Sequence, residues 1–229
     1  MVIGCTLALA SAQYTWPDAA PANGQSFRVF GTSPAAVAVN DGWKSRDLKL
    51  ESPLPVGYAA PTPDDAIEIK SYASVRRAEF KKSDLWFSSM WPVSRSFSKL
   101  FDHIKSRKIA MTSPVEMNYR RMTDRFGLLD SGKGDWTMSF LYRTPDLGRT
   151  GSFEDDVRVV DTKEITVISI GFKGDYTYQT YNDNLRPLYR ALNSQKKWVL
   201  AGEPRVFNYN SPMVDNKWGE VQLPIKLSQ

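Results

Sequence analysis

The chain has 229 residues, 41% of them hydrophobic and 24% charged, enough apolar material for one large domain. Thirty basic against twenty-five acidic residues give a net charge of +5, spread along the chain, which argues only weakly for nucleic acid. One Cys and one His exclude an intramolecular disulfide, a Cys/His zinc site and any multi-His metal site.

Residues 1–12 hold a short apolar run that ends in Ala10-Ser11-Ala12, the small-x-small pattern of a signal-peptidase site. The run is too short to span a bilayer. No Lys or Arg precedes Arg28, so the usual basic start of a signal is missing. The expectation is a soluble, exported protein, periplasmic or secreted; without that signal it is cytoplasmic. Residues 13–63 are rich in Pro, Gly, Ala, Ser and Asn and read as a leader and linker that partly packs on the domain, with Phe27–Phe30 and Ala36–Val39 as candidate short extended pieces.

Regular patterning begins at Ile67. Ile67–Lys70 alternates, and Val75–Phe80 continues extended after a bend near Tyr72–Ser74. An aromatic loop with Trp86, Phe87, Met90 and Trp91 precedes Pro92. Phe97, Leu100, Phe101 and Ile104 then fall at i, i+3, i+4 and i+7, which predicts a helix over 92–105 with Pro92 in its first turn. Ile109–Tyr119 and Trp136–Tyr142 read as strands, with Pro114 demanding an edge or a bulge. Val157–Phe172 is extended, with a polar break at Asp161–Glu164. Leu185, Leu188, Tyr189 and Leu192 repeat the helical spacing, with Asn182 or Asn184 as cap and Pro187 near the first turn. Arg205–Asn210 and Trp218–Leu223 are two more strands. The order strand–helix–strand–strand thus occurs twice. It predicts an antiparallel α+β domain with its helices on one side, its two half-sheets curling into an open or distorted barrel.

The segment Lys108-Ile109-Ala110-Met111-Thr112-Ser113-Pro114-Val115, after Leu100-Phe101-Asp102-His103-Ile104, resembles the SOUL/haem-binding-protein family. Ile67–Tyr72, Trp136–Leu141, Val157–Val160, Phe172-Lys173-Gly174, Gly202-Glu203-Pro204 and Tyr209-Asn210-Ser211-Pro212-Met213 resemble it in the same order. The resemblance covers residues 64–226. It implies a duplicated βαββ repeat forming a distorted antiparallel β-barrel flanked by two helices. It also implies haem or a related tetrapyrrole as ligand, in a site beside the first helix, with a further basic group near the last hairpin. Some relatives carry Lys where this chain has Val214, and Lys217 is the nearest replacement.

A tetrapyrrole is a flat apolar disc with two carboxylates, so it needs an apolar groove and basic groups at its rim. Trp86, Phe87, Met90, Phe97, Leu100 and Phe101 are the groove candidates; Arg76, Arg77, Lys81, Lys82 and Lys217 are the propionate candidates. Plain core is the competing reading for Phe97, Leu100 and Phe101, and a solvated face for the cations. His103 is the one imidazole and hence the axial-ligand candidate; its register, between Phe101 and Ile104 and off the centre of the apolar stripe, argues against simple burial. Asp64-Asp65, Asp155-Asp156 and Glu79 show no spacing that marks a catalytic pair, and no nucleophile elbow, phosphate loop or zinc-helix motif occurs. The leading expectation is a reversible tetrapyrrole binder. The alternatives are a haem-modifying enzyme, drawing on the haem's own reactivity, and a module that binds a non-haem amphiphile or a protein partner.

Overall fold

The computed structural model describes residues 13–40, 42–50, 52–82, 91–130 and 134–228, without the side chains of residues 82 and 91–93. The Pro-punctuated stretch before residue 64 holds four short strands: β1 (Ser26–Phe30), β2 (Val37–Val39), β3 (Gly42–Ser45) and β4 (Leu48–Lys49). Then come β5 (Ile67–Tyr72), β6 (Arg76–Lys82), α1 (Trp91–Ser106), β7 (Val115–Arg120), β8 (Asp135–Leu141) and β9 (Gly151–Ser152). The remainder is β10 (Val157–Asp161), β11 (Ile165–Lys173), α2 (Tyr178–Asn193), β12 (Trp198–Leu200), β13 (Arg205–Asn208) and β14 (Trp218–Leu227).

The main sheet is antiparallel and runs β1-β5-β11-β14-β13-β7-β8-β6-β10-β9, with β12 added on β14. Both helical runs pair in one pattern: β6-β8-β7 around α1 and β11-β14-β13 around α2, joined where β7 meets β13. The path is open at β1 and β9, and no pairing among the described residues closes it. The fold is therefore α+β, with two helices and one large antiparallel sheet.

Period-2 alternation gives the sheet two unlike faces. One carries Ile67, Ile69, Ala78, Met138, Phe140, Met117, Val206, Val221 and Leu223, which pack with Leu100 and Ile104 of α1 and Leu185 and Leu188 of α2. The other face carries Glu68, Lys70, Arg77, Glu79, Glu116, Ser139, Arg205, Glu220 and Gln222. The leader covers part of this polar face with Leu48, Leu50, Leu54 and Ala59, packed on Tyr72, Val167, Phe207 and Trp218. There Glu220 accepts from Lys70 Nζ at 2.8 Å, Tyr209 OH at 2.7 Å, Ser169 Oγ at 2.6 Å and the leader's Thr62 N–H at 2.6 Å. Lys70 donates back to the leader at Ala60 O, at 2.6 Å. Gly171 lets the leader pass this closely, because a Cβ there would run into the carbonyls of Thr62 and Pro63.

Two local expectations are corrected. The N-cap of α2 is Thr177, whose side chain accepts from Thr180 N, so Pro187 sits mid-helix rather than near the first turn. Asn182 is spent elsewhere: its amide exchanges two hydrogen bonds with the Leu129 backbone. The family-like segment 109–115 is strand only from Val115, so Pro114 costs no ladder hydrogen bond. Its polar groups act as a joint: Ser113 N–H donates to Pro53 O of the leader, Ser113 Oγ to Tyr209 O, and Thr112 Oγ1 to Leu141 O.

Candidate functional site

The two helices leave a gap over the middle of the sheet. α1 packs on β6, β8 and β10, whereas α2 packs on β11, β14 and β12. β13 and β7 lie between these sets. On β7, Val115, Met117 and Tyr119 point to the helix side; Val115 is half-buried there, whereas Met117 and Tyr119 are buried in the core. Val115 pairs across the sheet with Phe140, against which the Phe97 ring packs edge-on at 5.0 Å. At the other end Tyr119 touches Tyr178 of α2 at 5.8 Å.

Phe97 and Phe101 stack at 6.2 Å with 12° between their planes, and remain 37% and 41% exposed. Tyr178 is 37% exposed across the gap. Partly exposed large rings of this kind are candidates for covering a ligand. Leu100 is fully buried and belongs to the core. Trp86, Phe87 and Met90 lie outside the described residues.

His103 does not join these rings. A helix turns about 100° per residue, which puts Phe97 and His103 about 60° to either side of the buried Leu100. Phe101 is further round on the Phe97 side. His103 is 5% exposed, a correction to the register argument against burial: the sheet and the turn before β10 cover that flank. Its Nε2 lies 3.1 Å from Tyr142 OH and its ring packs edge-on against Phe153 at 4.9 Å. Burial, and then the Arg107 charge, hold the imidazole below its ordinary value, with Glu154 opposing.

Of the five cations expected at the carboxylates, the four whose side chains are described, Arg76, Arg77, Lys81 and Lys217, are not brought together. Arg76 and Arg77 are neighbours on β6 and so point to opposite faces. Arg76 is paired with Asp161 at 2.7 Å and donates to Gly148 O. Arg77 is bound on the polar face by Glu79 at 3.0 Å and Glu116 at 2.9 Å. Lys81 shares that face and lies 3.8 Å from Asp135. Lys82 occupies a helix-side register position, its side chain outside the described residues. Lys217 pairs with Asp175 at 2.7 Å, ahead of α2. Sequence reasoning passed over Lys105, exposed on α1 one turn beyond Phe101 and on the same flank. It also passed over Tyr178, because its place across the gap depends on the pairing of distant strands. Among the described residues no group of three or more His, Cys, Asp or Glu forms a metal-holding cluster, and no helix is long and apolar enough to cross a membrane.

Solved structures show the same fold at low identity. A hydrolase from Listeria innocua aligns with a TM-score of 0.51 at 11% identity, covering 73% of this chain and 94% of that one. EcmrR, in its complex with DNA, aligns with a TM-score of 0.50 at 16% identity, covering 70% of this chain and 57% of that one. Likeness at these identities shows the fold alone. No curated protein matches the chain. The SOUL heme-binding protein family model matches residues 55–223, which include both helices and most of the sheet. The chain belongs to the SOUL heme-binding protein family.

Proposed function

We propose that the protein reversibly binds haem or a related tetrapyrrole in the groove between α1 and α2. The observation that carries this reading is the stacked, half-exposed pair Phe97 and Phe101, presented on the α1 flank of a SOUL-family chain. A flat apolar ring system gains by covering such rings, and Val115 and Tyr178 extend the surface. Lys105 is the cation placed to meet a carboxylate at that rim. His103 faces the opposite flank, so the protein holds the disc by burial and charge rather than through this imidazole. The matching pairing orders around α1 and α2 support a duplicated βαββ unit; its curl into a distorted barrel rests on the family membership alone.

The test is a haemin titration of the full chain followed by Soret absorption, then extraction of the pigment. The reading expects a saturable band at one haem per chain and intact haem on extraction. Absence of a saturable band, with protoporphyrin also failing to quench tryptophan fluorescence, would overturn it. Recovery of free iron, biliverdin or metal-free porphyrin would replace the binder with a haem-modifying enzyme.

A further inference from the structure

The helix-side face of the sheet changes character where β5 ends and β11 begins. Ser71 continues the row of Ile67 and Ile69, and strand pairing sets it opposite Thr166. Two hydroxyls thus follow an apolar row. Ser71 Oγ and Thr166 Oγ1 lie 3.1 Å apart, and Ser71 is 4% exposed. One proton serves the contact between them, so the pair keeps a second proton to donate and lone pairs to accept.

The leader builds a wall beside this pair. Gly24 N–H donates to Ser71 O at 2.8 Å, Ser71 N–H donates to Gln25 O at 3.3 Å, and Gln25 N–H closes a turn on Ala22 O at 2.9 Å. Gly24 holds φ at +80°, and a Cβ there would meet Gly57 O at 2.5 Å, so the turn requires glycine. Asn23 Nδ2 donates to Glu164 Oε1 at 2.9 Å, which ties the wall to the residue just before β11. These parts enclose an open cavity of about 340 Å³, lined by leader residues 20–23, by Ser71 and by residues 164–166.

That volume is at the low end for small-molecule sites and suits a single small ring. The chemistry of the lining is lopsided. Glu164 is its one charged residue, so the cavity carries a single negative charge. Asn23 takes one carboxylate oxygen, Oε1, and leaves Oε2 for a ligand. The hydroxyl pair matches a ligand hydroxyl, which likewise donates and accepts. Pro21, between Ala20 and Ala22, offers apolar contact. A matching ligand carries a positively charged donor, hydroxyls and a compact carbon frame.

We infer that this cavity binds a small polyhydroxy primary amine, such as an amino monosaccharide in its ammonium form. The ammonium donates to Glu164 Oε2. A ligand hydroxyl exchanges hydrogen bonds with Ser71 and Thr166, and the C–H face of the ring rests on the leader at Pro21. The cavity shares no residue with the groove of α1 and does not depend on the tetrapyrrole reading.

The test is calorimetric titration of the full chain near neutral pH with glucosamine, glucose, N-acetylglucosamine and methylamine. Expected is saturable binding of one glucosamine. Glucose and N-acetylglucosamine, which lack the ammonium, bind about tenfold or more weakly by comparison, as does methylamine, which lacks the hydroxyls. Glu164→Gln keeps an acceptor for Asn23 but removes the charge, and it brings glucosamine down to the level of glucose. No saturable heat with glucosamine would overturn the proposal. So would equal binding of N-acetylglucosamine or methylamine, an unchanged Glu164→Gln variant, or displacement of glucosamine by haemin. Glucosamine binding in a chain that takes up no haemin would leave this site standing and overturn the groove alone.

Discussion

Lys70 Nζ and Glu220 Oε1 form a 2.8 Å ion pair in which both side chains are fully withdrawn from solvent. The pair also clasps the leader, through Ala60 O on the lysine and Thr62 N–H on the carboxylate. Removing one partner strands the other charge in a site of low polarity. Lys70→Met should therefore cost about 3–5 kcal/mol in a urea melt and speed proteolysis within residues 52–62. The double change Lys70→Met with Glu220→Leu should recover much of that loss. A double variant no better than the single would show that the pair is not the clasp.

Acid should act through the same carboxylate. Burial alone would raise the Glu220 carboxyl, but the Lys70 charge and the donors from Lys70, Ser169 and Thr62 outweigh it and hold it low. A depressed carboxylate contributes fully above its ordinary value of 4.5, and the contribution is lost as pH falls through the lowered value. Glu220→Gln should flatten the decline in stability below about pH 4.5, read from urea midpoints across that range. An unchanged slope would remove Glu220 from the acid response.

The leader is expected to act as core. Leu48→Ala and Leu50→Ala remove buried side chains and should each cost about 2–5 kcal/mol. Gly171→Ala should be comparably damaging, because its Cβ needs the space of the Thr62 and Pro63 backbone. Values within about 0.5 kcal/mol of wild type would mean that the leader does not stay docked.

His103 supplies a separate pH response at milder acidity. Its folded value lies below the ordinary 6.5, so the unfolded chain binds the extra proton first as pH drops. This contribution is complete above about pH 6.5 and is lost as pH falls through the lowered value. His103→Gln should narrow the stability difference between about pH 7.5 and pH 5.5. A difference as wide as that of wild type would place the response elsewhere.

Alternation and helical spacing made the frame legible. Ile67–Tyr72, Trp136–Leu141 and the faces of both helices are readable because burial on one side imposes a period on the chain. In the leader, the extended pieces Phe27–Phe30 and Ala36–Val39 coincide with β1 and β2, whereas β3 and β4 are too short to show a period and the pairing of β1 with β5 is a tertiary choice. Phe97 and Phe101 were identifiable as candidates, but the same spacing also named Leu100, which the core absorbs. The cations near β6 could not be sorted, since Arg76 and Arg77 differ by one residue and hence by a whole face. Glu116 gave no signal at all: its partners Arg77 and Arg205 come from strands far apart in sequence.

The most direct test of the tetrapyrrole groove compares haemin titrations of Phe101→Ala and His103→Ala with the unmodified chain. The account predicts that Phe101→Ala weakens haemin about tenfold or more, while His103→Ala leaves both affinity and Soret position unchanged. The reverse pattern, with binding intact in the Phe101 variant and a reshaped Soret band in the His103 variant, would contradict the groove and place the iron at the imidazole.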